Sequence, residues 1–331
     1  MNKTEQGVLN SGRLPHLFSL LILLLSFFVL SIPLASATKQ ELTVLLLYTP
    51  DNRLQNTIAQ KFSVTLAYRL TGTRILSSGR AQFDDSKIDS NTVIVAIGKE
   101  NITTANKKYP DNDKLLLSTW PIEDRAVSSA YRSSLLYITQ PLCRQLHFVK
   151  TLNPEWKTIG VIINDNPVQN KAEITSCAKK KSLAANITTI DSEGQLTSQL
   201  KELLASSDLL LALPDSSIYN SKTVKNILLT SYRLRKPVIG FSKNFSKAGA
   251  LASIYSTPTQ IAETATTIID DYITSGNRFS QKENYPEDFE ISINRQVFRA
   301  LDMDLPDIEK LKDEIVASEN HRSAGRKGSP K

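Results

Sequence analysis

The chain has 331 residues, of which 40% are hydrophobic and 22% charged, ordinary globular composition and enough length for two separate cores. Lys and Arg number 40 against 33 Asp and Glu, and part of this formal +7 lies in the tail, where Arg322, Arg326, Lys327 and Lys331 follow Asp313. Aromatic residues make up 7% and are not interleaved with basic clusters, which speaks against a nucleic-acid partner and for a solvated basic surface.

Residues 1–37 read as an export signal. Lys3 and Arg13 supply a positive start, Leu17 to Leu34 carries no charge, and Ala35-Ser36-Ala37 offers the small residues that a signal peptidase accepts. The apolar run is also about as long as a membrane-spanning helix, but Ala-x-Ala directly after Pro33 favours cleavage near Ala37. Periplasmic localisation is the expectation, and the absence of a Cys after the run leaves no lipid-attachment site.

Short apolar runs then alternate with amphipathic ones. Strands are expected at Leu42 to Tyr48, Thr73 to Ser77, Val93 to Ile97 and Leu115 to Ser118, with a helix from Asn52 to Tyr68. The rhythm restarts near Tyr131: a helix from Gln140 to Leu152, strand Thr158 to Ile163, a helix to about Ala184, strand Ile187 to Ile190, and a helix from Gln195 to Ala205. Strand Asp208 to Leu213, a helix from Ser217 to Leu234 and strand Pro237 to Phe241 complete this set. Strand Ala250 to Tyr255, helix Pro258 to Thr274, a polar loop from Ser275 to Pro286 and strand Glu290 to Asn294 follow; Ser323 to Lys331 has a disordered composition. Two successive sets of this kind imply an α/β protein of two doubly wound, parallel-sheet lobes.

Cys143 and Cys177 fall on predicted helices flanking one strand. An oxidising compartment permits a disulfide between them, and buried free thiols are the alternative.

Two stretches carry a family resemblance. PVIGFSKNFSKAGALASIYS (237–256) and FEISINRQVFRALDMDLP (289–306) resemble the ABC-transporter substrate-binding proteins related to the aromatic-amino-acid-binding type, and NPEWKTIGVIINDN (153–166) and DLLLALPDSS (208–217) fit in order and spacing. The resemblance implies a type I periplasmic-binding-protein fold, two lobes joined by three chain crossings at a hinge. Residues 38–138 and 254–284 would form one lobe, 139–253 and 285–307 the other, and 308–331 a helical or disordered basic tail. Two departures stand out: Ser242 where the family carries an acid, and Ser128-Ser129-Ala130-Tyr131 in place of its Gly-rich stretch.

In open parallel sheets, ligands sit beyond the carboxyl ends of the strands, where helix N-termini present free N–H groups. That rule nominates Tyr48, Thr49, Gly98 and Ser118 to Trp120 in the first lobe, Asn164, Asn166, Asp215, Ser216 and Ser242 in the second, and Tyr255 at a crossing. Ser, Thr and Asn can pair a carboxylate or amide, Asp215 can hold an ammonium, and Trp120, Tyr48 and Tyr255 can cover a ring or chain. Plain alternatives stand beside these roles: Pro214-Asp215-Ser216 also reads as a helix start, Trp120 as a core wedge and Tyr48 as an ordinary strand residue.

Catalytic and cofactor chemistry is absent from the motifs. His16, His147 and His321 are far apart, no Cys or His pair has metal-ligand spacing, and neither a Gly-x-Ser-x-Gly elbow, a phosphate-binding Gly-Lys loop nor a dinucleotide glycine motif occurs. The paired acids Asp84-Asp85 and Asp270-Asp271 read as solvated faces, and Asn101, Asn186 and Asn244 open N-x-Ser/Thr triplets that a chain of this composition produces by chance. The expectation is therefore a non-enzymatic, monomeric solute-binding protein without cofactor or metal. It would serve an ABC permease of the inner membrane, taking an amino-acid-like or aromatic solute; the alternative is a sensing module that reports occupancy to a signalling receptor.

Overall fold

The computed structural model describes residues 42–79, 85–119, 132–164 and 171–327. The expected signal segment, Asp84, Trp120, Ser128 to Tyr131 and Asn166 lie outside the described residues.

The first sheet contains β1 (Thr43–Tyr48), β2 (Arg74–Gly79), β3 (Thr92–Ile97), β4 (Lys114–Ser118), β5 (Ser133–Tyr137) and the short β11 (Glu283–Asn284), in the order β11-β5-β4-β3-β1-β2. All of its pairings are parallel. Alternation along the strands buries both faces. Val44, Leu46, Val95 and Leu117 pack under helices α1 (Arg53–Arg69) and α8 (Pro258–Thr274), and Leu45, Leu47, Ile94 and Leu116 pack with Ile102 and Ala105 of α2 (Lys99–Lys108).

The second sheet repeats the plan with β6 (Thr158–Asn164), β7 (Ala184–Ile190), β8 (Leu209–Leu211), β9 (Val238–Gly240), β10 (Ala252–Tyr255) and β12 (Glu290–Ile293), ordered β12-β10-β9-β8-β6-β7. Among the described residues, only β12 runs antiparallel, against β10. One face packs on α3 (Leu142–Leu152), α4 (Lys171–Lys180), α9 (Arg295–Ala300) and α10 (Ile308–Lys327). The other packs on α5 (Leu196–Ala205), α6 (Val224–Arg233) and α7 (Lys243–Ala248). Two doubly wound α/β layers are thus present, as the alternating pattern implies.

Several elements differ from the sequence reading. β5 was not anticipated, because SSLLY holds only three apolar or aromatic side chains after a Ser-rich stretch; its strand form comes from pairing with β4 and β11. Residues 217–223 are turn, not helix. Asp215 accepts from the Ser217 N–H at 2.9 Å and Asn220 from the Lys222 N–H at 2.9 Å, so these side chains take the amides that a helix would use. The helix after β6 ends at Lys180, not Ala184, and Ser182 turns the chain through a left-handed φ of 55° into β7. At the end of the chain α10 continues to Lys327, through residues read as disordered, and its Leu311 and Ile315 are buried in the second-lobe core.

Three passages connect the layers. The end of β5 leads through 138–141 into α3, the end of β10 leads through Ser256 and Thr257 into α8, and β11 leads through 285–289 into β12. Arg144, on the first turn of α3 and 8% exposed, ties them together. Its Nη1 donates to Gln140 Oε1 (2.8 Å) and the Pro286 carbonyl (3.0 Å), its Nε and Nη2 hold both oxygens of Glu319 at 2.7 Å, and its guanidinium lies 5.0 Å from the Phe289 ring centroid. Gln140 in turn donates to Ser256 Oγ, which donates to the Asp288 carbonyl. Every passage therefore contributes at least one partner to one network.

Cys143, the residue before Arg144, is joined by a disulfide to Cys177 on α4, with Cα atoms 5.0 Å apart. It closes a loop across a sequence separation of 34 residues, and replacing both cysteines by Ser is expected to lower unfolding free energy by about 2–4 kcal/mol in denaturant titration. Arg144→Ala, which removes the donors held by Glu319, Gln140 and the Pro286 carbonyl, should cost about 3–5 kcal/mol by the same measurement, and Glu319→Gln clearly less.

Candidate functional site

All three passages leave from carboxyl ends of parallel strands, of β5, β10 and β11. The carboxyl edges of both sheets therefore lie on the side where the chain crosses, and the nominated residues are gathered along those edges.

In the first lobe, Thr49 follows β1 and Gly98 follows β3. The Gln55 side chain, on the first turn of α1, accepts from the Thr49 N–H at 2.8 Å and from Asn101 Nδ2 at 3.1 Å. Asn101 Nδ2 also donates to Thr49 Oγ1 at 3.2 Å and to the Ile97 carbonyl at 2.8 Å. Gly98 has φ +87°, and a Cβ there would lie 2.3 Å from Gln55 Nε2, so only glycine lets the amide cross this strand end. Tyr48 packs partly buried against the core, as an ordinary strand residue does. Ser118 is buried, its carbonyl accepts from the Ile138 N–H, and Thr139 Oγ1 donates to the Thr119 carbonyl at 3.1 Å.

In the second lobe, Asn164 ends β6 and Asp215 follows β8. Asn164 Nδ2 donates to Asp215 Oδ2 at 2.8 Å and to Ser217 Oγ at 3.1 Å, while Asp215 Oδ1 accepts from the Ser217 N–H and hydroxyl at 2.9 and 2.6 Å. Asp215 is therefore a turn cap and a fixed carboxylate at once. Ser216 is exposed and its carbonyl accepts from Asn220 Nδ2. Ser242 caps α7 by accepting from the Phe245 N–H at 3.3 Å, so the hydroxyl that stands where the family has an acid does a backbone job. Tyr219 lies buried beside Phe241 and Phe245, with ring centroids 5.9 and 5.7 Å away; burial and the charge of Asp215 push its phenol well above the ordinary range.

At the crossings, Tyr137 at the end of β5 stacks on Tyr285 with ring centroids 4.6 Å apart. Burial, then the charge of Glu283, raises the Tyr137 phenol. Tyr285 is pushed up to about 12 by burial, then by Glu173 and Glu283. Glu173 belongs to α4 of the second lobe, so its influence on both phenols brings that lobe's acid to this corner of the first. Tyr255 is half-buried opposite Glu290 in the β10–β12 register, and burial followed by that charge raises its phenol.

Gln55, Asn101, Ser217, Tyr137, Tyr285 and Glu173 were not among the nominated residues. Asn101 had a signal, since it lies three residues past a strand-ending glycine; the Tyr137–Tyr285 contact joins residues 148 positions apart and had none.

These phenols predict a pH dependence. Raised pKa values mean that the folded state holds the neutral form, so this stabilisation is complete below the ordinary tyrosine value of about 10 and is lost as pH rises from there through about 12. In ultraviolet titration, Tyr137, Tyr219, Tyr285 and the buried Tyr272 of α8, whose hydroxyl donates to Asp113 Oδ2 at 2.7 Å, should lag behind the exposed tyrosines and ionise only toward pH 12 or with unfolding. One common transition near pH 10 in the folded protein would contradict the geometry.

Comparison with known proteins agrees with this architecture. The family described as ABC transporter substrate binding protein matches residues 138–315, more than half of the chain. A tyrosine-binding protein of Clostridioides difficile is 25% identical over 184 residues, 55% of this chain and 52% of that protein, so the chain spans about half the length of the curated relative it matches. Among solved structures, the ligand-free, open form of a substrate-binding protein with adhesive properties from Clostridium difficile superposes with a TM-score of 0.60 over 80% of this chain and 95% of that one, at 16% identity. An ABC domain in complex with L-Trp from Streptococcus pneumonia gives a TM-score of 0.57 over 82% and 98%, also at 16% identity. At that identity the likeness is one of fold, the two-lobed type I periplasmic-binding-protein arrangement. With parallel sheets whose carboxyl edges share three crossings, and a family match running from the first crossing into the last helix, the chain belongs to the ABC transporter substrate-binding proteins.

Proposed function

We propose that this chain captures a small amino-acid-like or aromatic solute between its two carboxyl edges and delivers it to an ABC importer. The observation that carries the reading is the gathering of fixed polar groups, Thr49 and Asn101 on one edge and Asn164 and Asp215 on the other, beside passages bound into one network by Arg144. The named ligands of the two relatives, tyrosine and L-Trp, support a solute with an ammonium, a carboxylate and a ring. Asp215 is the partner for the ammonium, being a carboxylate held by three hydrogen bonds and paired with no cation among the described residues. Thr49, Ser118, Asn166 and Ser216 serve the carboxylate, and Trp120 and Tyr255 cover the side chain; Asn164 donates its amide to Asp215 and Ser217, the Gly98 N–H is taken by the Leu117 carbonyl, Tyr48 packs on the core, and Ser242 contributes at most its backbone, since its hydroxyl caps α7.

The mechanism is hinge closure. A solute touching both lobes stabilises the closed form by its extra contacts there, and the closed form offers a joint surface to the permease. Such capture involves no bond broken and calls for no cofactor or metal. The reading places a monomer in the periplasm after cleavage near Ala37. No helix among the described residues is long and apolar enough to cross a membrane.

Native mass spectrometry of the purified protein should find a co-purified small solute, and calorimetry with L-Tyr and L-Trp should give saturable binding. Asp215→Asn, which removes the charge and keeps the acceptor for Ser217, and Trp120→Ala should each weaken that binding about tenfold, about 1.4 kcal/mol, with the melting temperature held. Unchanged affinity in both variants would place the solute elsewhere.

A further inference from the structure

From Ser216 to Ala262 the chain has no Asp or Glu, yet it has Lys222, Lys225, Arg233, Arg235, Lys236, Lys243 and Lys247. The fold gathers five of these seven charges on one helix and its two flanks. Ile227, Leu228 and Ser231 of α6 face the sheet, while Lys225, Leu229, Tyr232 and Arg233 face solvent at helical spacing, with Lys222 just before the helix and Leu234, Arg235 and Lys236 just after it. Leu229, Tyr232 and Leu234 are 41%, 51% and 41% exposed, an apolar strip ringed by cations. Arg235 is paired with Asp302 on the surface, and neighbouring α5 adds one charge of each sign, Lys201 and Glu202, so the excess stays positive. A second exposed apolar helix face, Val64 and Tyr68 of α1, lacks this character because α8 beside it carries Glu263, Asp270 and Asp271.

We propose that the α6 face is a docking surface for an anionic phospholipid bilayer, holding the second lobe at the membrane independently of which solute is bound. The chemistry favours lipid over a protein partner. Lysine is depleted at protein interfaces, and three partly exposed apolar side chains on one convex helix fall well short of the buried core that a specific complex needs. A bilayer requires no matched shape: the basic residues meet the headgroup charge while Leu229, Tyr232 and Leu234 enter the headgroup boundary, where tyrosine is at home.

The test places a nitroxide on Asn226→Cys in the full chain, so that the probe reports α6 itself and not the apolar run at 17–34. On vesicles with about one-third phosphatidylglycerol in phosphatidylcholine, the label should become shielded from a water-soluble relaxation agent, and it should stay open on pure phosphatidylcholine. About 0.5 M salt, or Lys225→Glu with Arg233→Glu, should abolish the shielding, and Leu229→Ser with Tyr232→Ser should weaken vesicle binding about fivefold. All substituted positions are exposed, so circular dichroism and melting should match the parent. A label equally open on both vesicles overturns the proposal, and so does shielding that appears only when a membrane protein is reconstituted.

Discussion

Arg144 lies almost out of contact with solvent, and a guanidinium at that depth is tolerable only when its donors are answered by well-placed acceptors. Here the acceptors come from Gln140, Pro286 and Glu319, which stand on the first passage, the third passage and the last helix, with Ser256 of the second passage reached through Gln140. Because the penalty falls on any arrangement that leaves the charge unanswered, the passages are held in register with one another. The sheets are organised around that point, since strands ending there bring both carboxyl edges to one side. The disulfide at the neighbouring Cys143 anchors α4 to the same place, which carries Glu173 toward Tyr137 and Tyr285.

The residues along these edges have double employment. Asp215 caps its own turn and remains a carboxylate at the carboxyl end of β8; Asn101 closes the turn after β3 and fixes Thr49. On the proposed function, capping and binding are compatible at such positions, because the bonds that make the cap hold the side chain still and reduce the entropy that binding would cost. Ser242 shows the limit of this logic. Its hydroxyl serves the first turn of α7, so no acid takes that place after β9, whereas Asp215 stands after β8.

Charge is divided with similar economy. Acids collect at the crossing corner, Glu173 and Glu283 beside stacked phenols, whereas the outer helix α6 carries cations and a strip of exposed apolar side chains. A negative corner fits the ammonium-bearing solute proposed above, and a positive α6 face fits the anionic surface proposed for it. The two surfaces belong to different sides of the same fold and need not interfere.

By itself the order of residues determined the layer architecture, because doubly buried parallel strands such as TVLLLY and TVIVAI must be continuous apolar runs, and helices between them must be amphipathic. It also determined where polar groups fall, since Thr49, Asn164 and Asp215 directly follow such runs and strand ends are where the chain must turn. Local hydrogen bonding escaped it in part: Asp215 and Asn220 taking backbone amides turned an expected helix into a looped segment at 217–223. Tertiary structure alone decided that SSLLY is a strand, that Cys143 meets Cys177, that Arg144 gathers three passages, and that Tyr137 stacks on Tyr285. These are pairings between residues tens to hundreds of positions apart, and their energy depends on distances that no local pattern of side chains encodes.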